Sequence, residues 1–396
     1  MMKLMVLLSR VPYPLDKGDK LRAYHQVKHL ALKHDILLCC LSDKKVDDGS
    51  ISHLKSFCSD VFIIRIRKWQ ILTNLLIGIF NKKPMQVNYF HNALLQKKVD
   101  KFIEKHMPAH IYCQLIRVTE YVKKYTIIPK TLDYMDAFSK GMLRRSEKTS
   151  WPLKLVYRKE ASRLYNYERS MFAFFEHKTI ISEQDKSYID HPHREEIHVI
   201  PNGVDPDYFH PIKRNKEYEL VFTGNMHYAP NVESACYLVK NILPILKKRE
   251  HDVRLLISGT NPSREVRSLA SDNVRVTGWV KNIRESYAIS KIFIAAMQTG
   301  TGLQNKLLEA MAMRLPCITS PLANNALGAT HGEHILIGSS PTDYAIHIMN
   351  LLEDEKLYKK IAVNGHNYVH THFIWESSVE MLNQIMFHKA EKAGKI

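Results

Sequence analysis

The chain has 396 residues, too many for one hydrophobic core to grow comfortably and a fitting number for two domains. Apolar residues make up 45% of it and charged residues 24%, which excludes a disordered or fibrous protein. The formal charge of +17 is scattered along the chain rather than gathered in a tail, so it favours anionic partners (nucleic acid, anionic lipid headgroups, a nucleotide diphosphate) without selecting among them.

From the N-terminus, the apolar run Met1 to Ser9 stops at Arg10, and the Val-Pro-Tyr-Pro that follows lacks a small-residue cleavage site. It reads as a first β-strand, not a signal peptide. Further strands are expected at Asp35 to Leu41, Asp60 to Ile66, His110 to Leu115, Lys178 to Ser182 and Ile197 to Ile200, with helices over Asp19 to Lys33, Tyr89 to Lys105 and Trp151 to Phe175. Ile71 to Phe80 is strongly apolar and is flanked by Arg65, Arg67 and Lys68 on one side and Lys82 and Lys83 on the other. Basic flanks beside an apolar helix suit an anionic membrane surface, and an interior helix with charged ends is the other reading. No run reaches the roughly 18 to 20 apolar residues that span a bilayer.

Pro201 to Pro211 is dense in turn formers and prolines and reads as a linker. Beyond it, strands are expected at Tyr218 to Thr223, Val253 to Ser258, Val274 to Thr277, Ile292 to Ala296 and Cys317 to Thr319, with helices between them. The alternation predicts two Rossmann-like doubly wound α/β domains facing across a cleft, 1–205 and 206–373, whose ligands lie beyond the carboxyl ends of the strands. The Lys-rich stretch 389–395 reads as solvated.

The six cysteines show no paired metal spacing and read as buried thiols of a reducing, cytoplasmic compartment. Among the 21 histidines, pairs such as His191 and His193 lack ligand partners at metal spacing. Asp205-Pro-Asp207 falls in the linker, and no essential metal or cofactor is expected. Zinc-finger spacing, RNP-like aromatics and a basic zipper are all missing, so nucleic acid is the weaker class of partner.

The segment with most chemistry runs from the strand ending at Ala296 through Met297-Gln-Thr-Gly-Thr-Gly-Leu-Gln-Asn-Lys-Leu-Leu-Glu-Ala-Met-Ala312. A glycine-containing loop opening a helix offers backbone N–H groups and the positive end of the helix dipole to an anion, and Gly300 and Gly302 allow close approach. On a helical wheel, Leu303, Leu307, Ala310 and Met311 form one apolar stripe, and Lys306 and Glu309 lie away from it. Lys306 suits a leaving diphosphate and Glu309 a pair of sugar hydroxyls; the bland alternative is an exposed i, i+3 ion pair.

This loop and helix resemble the signature region of the family 4 glycosyltransferases, in which a Gly-rich loop leads to a Glu-Ala-Met helix. Val199-Ile-Pro-Asn-Gly-Val-Asp205 resembles that family's inter-domain segment, and Val276-Thr-Gly-Trp-Val280 its strand end beside the nucleotide base. Pro12-Tyr-Pro-Leu-Asp-Lys-Gly18, Leu132-Asp-Tyr-Met-Asp-Ala-Phe-Ser139 and Phe222-Thr-Gly-Asn-Met-His-Tyr-Ala-Pro-Asn231 are similar to the sugar transferases of bacterial exopolysaccharide systems, including those associated with PEP-CTERM sorting. The resemblance implies a GT-B fold and a retaining, metal-independent transfer from a nucleotide-diphosphate sugar to a glycan or lipid-linked acceptor, in the cytoplasm or at the inner face of the plasma membrane. It places the donor on Gly224, Asn225, His227, Trp279, Val280, Gly300, Thr301, Gly302, Leu303, Lys306 and Glu309, and the acceptor on the N-terminal domain. It also implies that a last helix, 374–396, opening at Trp375, returns to pack on that domain. Two departures shift the weight onto Lys306: Thr301 stands where the wider family has an acid, and Asn225, Met226 and His227 stand where it often has Arg and Lys.

In the N-terminal half, Gly18 reads as an acceptor-side backbone site or a plain turn glycine, and Arg22 as a residue aimed at the ligand or a solvated helix arginine. Asp133 and Asp136 mark a strand end where a carboxylate can orient an acceptor hydroxyl or take its proton, with helix capping as the alternative for Asp136. Glu168 reads as a surface charge. Two rival functions remain: a nucleotide-sugar epimerase on the same fold, which needs no acceptor, and a basic protein that binds nucleic acid or a membrane surface.

Overall fold

A computed structural model describes residues 1–300 and 302–387. The chain divides into two compact units, one formed by Met1–Pro201 with the chain from Ser378 onward and the other by Asn202–Ser377. In the first, seven strands, β1 (Lys3–Leu8), β2 (Asp35–Ser42), β3 (Asp60–Arg65), β4 (His110–Gln114), β5 (Lys130–Asp133), β6 (His177–Ile180) and β7 (Ile197–Val199), form a parallel sheet in the order 3-2-1-4-5-6-7. In the second, β8 (Tyr218–Thr223), β9 (Leu255–Ser258), β10 (Val274–Val276), β11 (Ser290–Ala295), β12 (Cys317–Thr319) and β13 (Leu336–Ile337) form a parallel sheet in the order 10-9-8-11-12-13. Both sheets reverse direction of growth beside their first strand, between β1 and β4 and between β8 and β11. Such switch points open a crevice at the carboxyl ends of the strands.

The sheets form from near-continuous apolar runs because both faces are covered. In β1, Met5 and Leu7 enter one core cluster while Leu4, Val6 and Leu8 enter the other, and every one of them is buried. That two-sided burial is why the strand lacks the apolar-polar alternation of a half-exposed sheet. The second of these clusters is completed by the last helix: Val379, Leu382 and Met386 join it, His34 hydrogen-bonds Asn383 at 2.7 Å, and Lys33 pairs with Glu380. This helix is described over Trp375–Phe387; the rest of the expected 374–396 helix and the 389–395 stretch lie outside the described residues.

Where the elements differ from expectation, local chemistry explains it. The single helix expected over Tyr89 to Lys105 is two, Met85–Phe90 and Ala93–His106, because the Asn92 side chain accepts from Leu94 N–H at 2.8 Å and starts a new helix. β5 is expected from sequence only as a strand end at Asp133, without a range, because its first residue is a lysine. Lys130 is nevertheless buried, its ammonium donating to the carbonyls of Tyr125 and Ile128.

Gly259 has φ +150°, and a Cβ there would sit 1.7 Å from the carbonyl oxygen of Gly224. Gly259→Ala is therefore expected to lower stability by about 3 kcal/mol. Gly141 lies in the Phe138–Glu147 helix with open space around it, so Gly141→Ala should raise stability by up to about 1 kcal/mol. Urea midpoints of the two variants check these opposite signs.

Candidate functional site

In the second unit, β8 is followed by Gly224, whose φ of +148° and missing Cβ let the chain at the strand end approach Asn231, 2.7 Å from where that Cβ would lie. Asn231 sits in the Ala229–Tyr237 helix, is buried, and donates to the Asn225 carbonyl at 3.0 Å. Its side-chain oxygen accepts from the Lys306 ammonium, which also lies 4.9 Å from the Phe222 ring centre and 3.8 Å from the Met297 sulfur. Lys306 is carried by the Asn305–Ala312 helix and half-buried. Loss of water around it lowers its pKa to about 7, against the opposing pull of Glu309.

Glu309 is held separately. It accepts from the Tyr287 hydroxyl at 2.7 Å, and buried Tyr287 in turn meets Thr223 at 2.8 Å. Burial raises its pKa, while Tyr287 and Lys306 pull it down. Lys306 and Glu309 are thus not a solvated surface ion pair: each is desolvated and fixed by a different neighbour. The Gly-rich loop before them has Gly300 at φ +90°, Leu303 buried, and Gln304 bonded to the Gly302 carbonyl at 2.7 Å. Thr301 lies outside the described residues. Thr299 donates to Glu233 at 2.6 Å, so a carboxylate from the neighbouring helix stands against the loop. Sequence reading missed Glu233, Asn231 and Tyr287, because they reach the site from segments tens of residues away.

Trp279 follows β10 and is 71% exposed, with Val280 half-buried beside it. Asn225 and His227 are exposed, and the Asn225 side chain accepts from His227 N–H at 3.0 Å in a tight turn. The arrangement offers an ammonium, a glycine loop at a helix start, a half-buried carboxylate and an exposed aromatic ring along one edge of the sheet. A separate depression lined by Tyr218, Arg254 and Val274 lies at the opposite, amino ends of β8 to β10.

The first unit corrects several readings. Arg22 is neither solvated nor aimed at open space: it is fully buried and holds fully buried Asp133 through Nε at 2.6 Å and Nη2 at 3.3 Å. Tyr112 donates to the same carboxylate at 2.9 Å, and Gln26 lies at 3.5 Å. A carboxylate so engaged positions its strand end rather than receiving a proton. Asp136, three residues on, is half-buried and does not cap the next helix. Glu168 does that, accepting from Ser139 N–H at 3.0 Å and from its hydroxyl at 2.5 Å, and it is buried rather than on the surface. Burial, with Asp185 and Asp133 adding to it against Arg22, lifts the Asp136 pKa to about 7. Gly18 opens its helix with nothing near its missing Cβ. At the same strand ends stand two arginines not singled out from sequence: Arg10 pairs with Asp19, and Arg117 bonds Gln86 at 2.8 Å and lies over the Phe138 ring at 4.9 Å.

Residues 217–354 match the family model described as "Glycosyl transferases group 1", a stretch that contains the whole Lys306 site. Over 94% of its length the chain is 23% identical to an uncharacterized 44.6 kDa protein in the cps region of Klebsiella pneumoniae, covering 97% of that protein. The chain is similar in fold to sucrose-phosphate synthase from Thermosynechococcus elongatus (TM-score 0.68, 14% identity, 97% and 98% of the two chains covered). Anabaena HepE, solved in complex with UDP and glucose, is similar too (TM-score 0.66, 14% identity, 97% and 99% covered). The fold is thus GT-B, two Rossmann-like domains. A group 1 domain within that fold supports a glycosyltransferase.

Removing one partner of the Arg22–Asp133 pair leaves a charge buried alone. Arg22→Met is expected to cost about 3–5 kcal/mol, and Arg22→Met with Asp133→Leu to recover much of the loss. Urea denaturation of the single and double variants measures both.

Proposed function

We propose that the protein is a retaining glycosyltransferase that moves a sugar from a nucleotide-diphosphate sugar to a glycan or lipid-linked acceptor in the synthesis of cell-surface polysaccharide. The observation that carries this is Lys306, a desolvated ammonium with a neutral amide as its hydrogen-bond partner, beside a glycine loop. A charge kept in that state is incomplete until an anion arrives, and a diphosphate has the size and charge to complete it. In this reading the loop 300–303 and Gly224 line the diphosphate, Glu309 receives the ribose hydroxyls, and Trp279 and Val280 flank the base. Asn225 and His227 form the rim. Glu233, held at the loop through Thr299, supplies a carboxylate for the sugar that Thr301 does not.

The acceptor is assigned to the first unit, at the strand ends that carry Gly18 and Asp136, with Arg22 and Asp133 as positioning residues. The cps-region context of the Klebsiella relative supports a polysaccharide acceptor. Transfer breaks the bond from anomeric carbon to phosphate oxygen and forms one to the acceptor oxygen on the same face, and the departing phosphate takes the acceptor proton. Charge growing on that phosphate is met by Lys306 and the loop N–H groups, which is where preorganised electrostatics lowers the barrier. No metal or cofactor is assigned a role.

Lys306→Ala is expected to lower kcat/KM by roughly 100- to 1000-fold with the fold intact; an unchanged rate would remove it from the site. Because Lys306 is protonated below about 7 when the site is empty and a bound diphosphate keeps it protonated, donor affinity should be highest below that pH. Above it, affinity should weaken by up to about tenfold per unit, and Lys306→Ala should flatten the profile. Activity should survive a chelator; its loss, restored by a divalent cation, would contradict the assignment of leaving-group charge to Lys306. Release of a free epimerised sugar nucleotide from donor alone would favour an epimerase instead.

A further inference from the structure

The Lys68–Phe80 helix is inside out. Its buried residues are Gln70, Asn74 and Gly78, spaced one turn apart on one face. Gln70 accepts from Arg67 N–H at 2.9 Å, Asn74 bonds Asn92 at 2.9 Å, and Gly78 packs against Asn88. The apolar side chains Trp69, Leu72, Leu76, Ile77, Ile79 and Phe80 all point outward and are exposed, Phe80 by 90%. An apolar stripe left facing solvent while the polar stripe faces the core marks an interaction surface.

A second exposed apolar stretch adjoins it. In the Leu153–Ser170 helix, Arg163 donates to the carbonyls of Gly78 at 2.8 Å and Ile79 at 3.1 Å, while Glu160 accepts from Met85 N–H at 2.9 Å. These bonds hold one side of that helix along the 78–86 segment. Val156 continues the same side one turn before Glu160, and it is exposed together with Leu155, Leu153 and Trp151. Both apolar stretches therefore belong to one unit, and their helices are tied together through Arg163 and the carbonyls of Gly78 and Ile79.

Charge selects what covers them. Arg65, Arg67, Lys68 and Lys82 are exposed around the first stretch, Arg158 and Lys159 beside the second, and residues 65–83 contain no Asp or Glu. A second copy of the chain would set cations against cations across a two-fold axis. An anionic bilayer presents apolar depth below a negative surface and meets both features.

We infer that these two helices form a monotopic surface that inserts its apolar side chains into an anionic lipid leaflet. This deepens the proposed function by bringing the acceptor-binding unit to lipid, and it rests on that reading only for the acceptor. The lipid contact itself is measured without donor or acceptor.

The test is co-sedimentation of the full chain with phosphatidylcholine vesicles, with and without about 30% phosphatidylglycerol. Binding to the anionic vesicles is expected, at least tenfold tighter than to neutral ones, with a blue shift of tryptophan emission that Trp69→Tyr together with Trp151→Tyr reduces. Leu76→Glu with Ile77→Glu, and separately Val156→Glu, should each weaken binding at least tenfold while the melting temperature and nucleotide binding stay unchanged. Absence of vesicle binding, equal binding to both vesicle types, or glutamate variants that bind as the parent does would overturn the inference. So would a concentration-dependent dimer abolished by the same substitutions. Loss of transfer activity with vesicle binding intact would instead count against the proposed function.

Discussion

The second unit is organised around an ammonium held out of water without a carboxylate to neutralise it directly. Lys306 can occupy that position because three separate segments converge there: Asn231 supplies a hydrogen-bond acceptor, Phe222 an aromatic face and Met297 a polarizable sulfur. Glycines make the close approaches possible: a Cβ on Gly224 would lie 2.7 Å from the Asn231 side chain, and one on Gly259 would lie 1.7 Å from the Gly224 carbonyl oxygen. Keeping the lysine in this state costs desolvation energy, and its pKa near 7 records that cost. An anion placed there recovers it, and in the proposed function that anion is the leaving diphosphate.

The first unit spends its buried charges differently. Arg22 and Asp133 neutralise each other, and Tyr112, Gln26 and the Met135 N–H also donate to the carboxylate. Such a saturated pair fixes where helix and strand end meet rather than reacting. Burial, with Asp185 and Asp133 adding to it against Arg22, lifts Asp136 to about 7, and burial lifts Glu168 likewise. One unit thus carries an ammonium awaiting a partner and the other carboxylates poised between two states.

Much of the fold was legible because buried parallel strands are written as apolar runs. β1, β2, β8 and β12 stand out in the sequence, whereas β5 begins with a lysine that finds carbonyl partners only in the folded chain, and two-residue β13 is too short to show a pattern. In the site, the wheel of the Asn305–Ala312 helix separated Lys306 and Glu309 from the apolar stripe. It could not show that Tyr287 and Asn231 would hold them, since those contacts span 22 and 75 residues. Arg22 and Glu168 were misread for one reason: a charged residue reads as exposed until its partner is known, and the partner of Arg22 lies 111 residues away. The Lys68–Phe80 helix shows the reverse, since apolar periodicity normally marks the inward face and here marks the outward one.

The most direct measurement is calorimetric titration of the protein with nucleotide diphosphates at about pH 8, in two buffers of different ionisation enthalpy. If Lys306 is the group that awaits the diphosphate, binding takes up close to one proton, and the uptake disappears in Lys306→Met. Binding of the same affinity with no proton uptake, or uptake unchanged in Lys306→Met, would contradict the account.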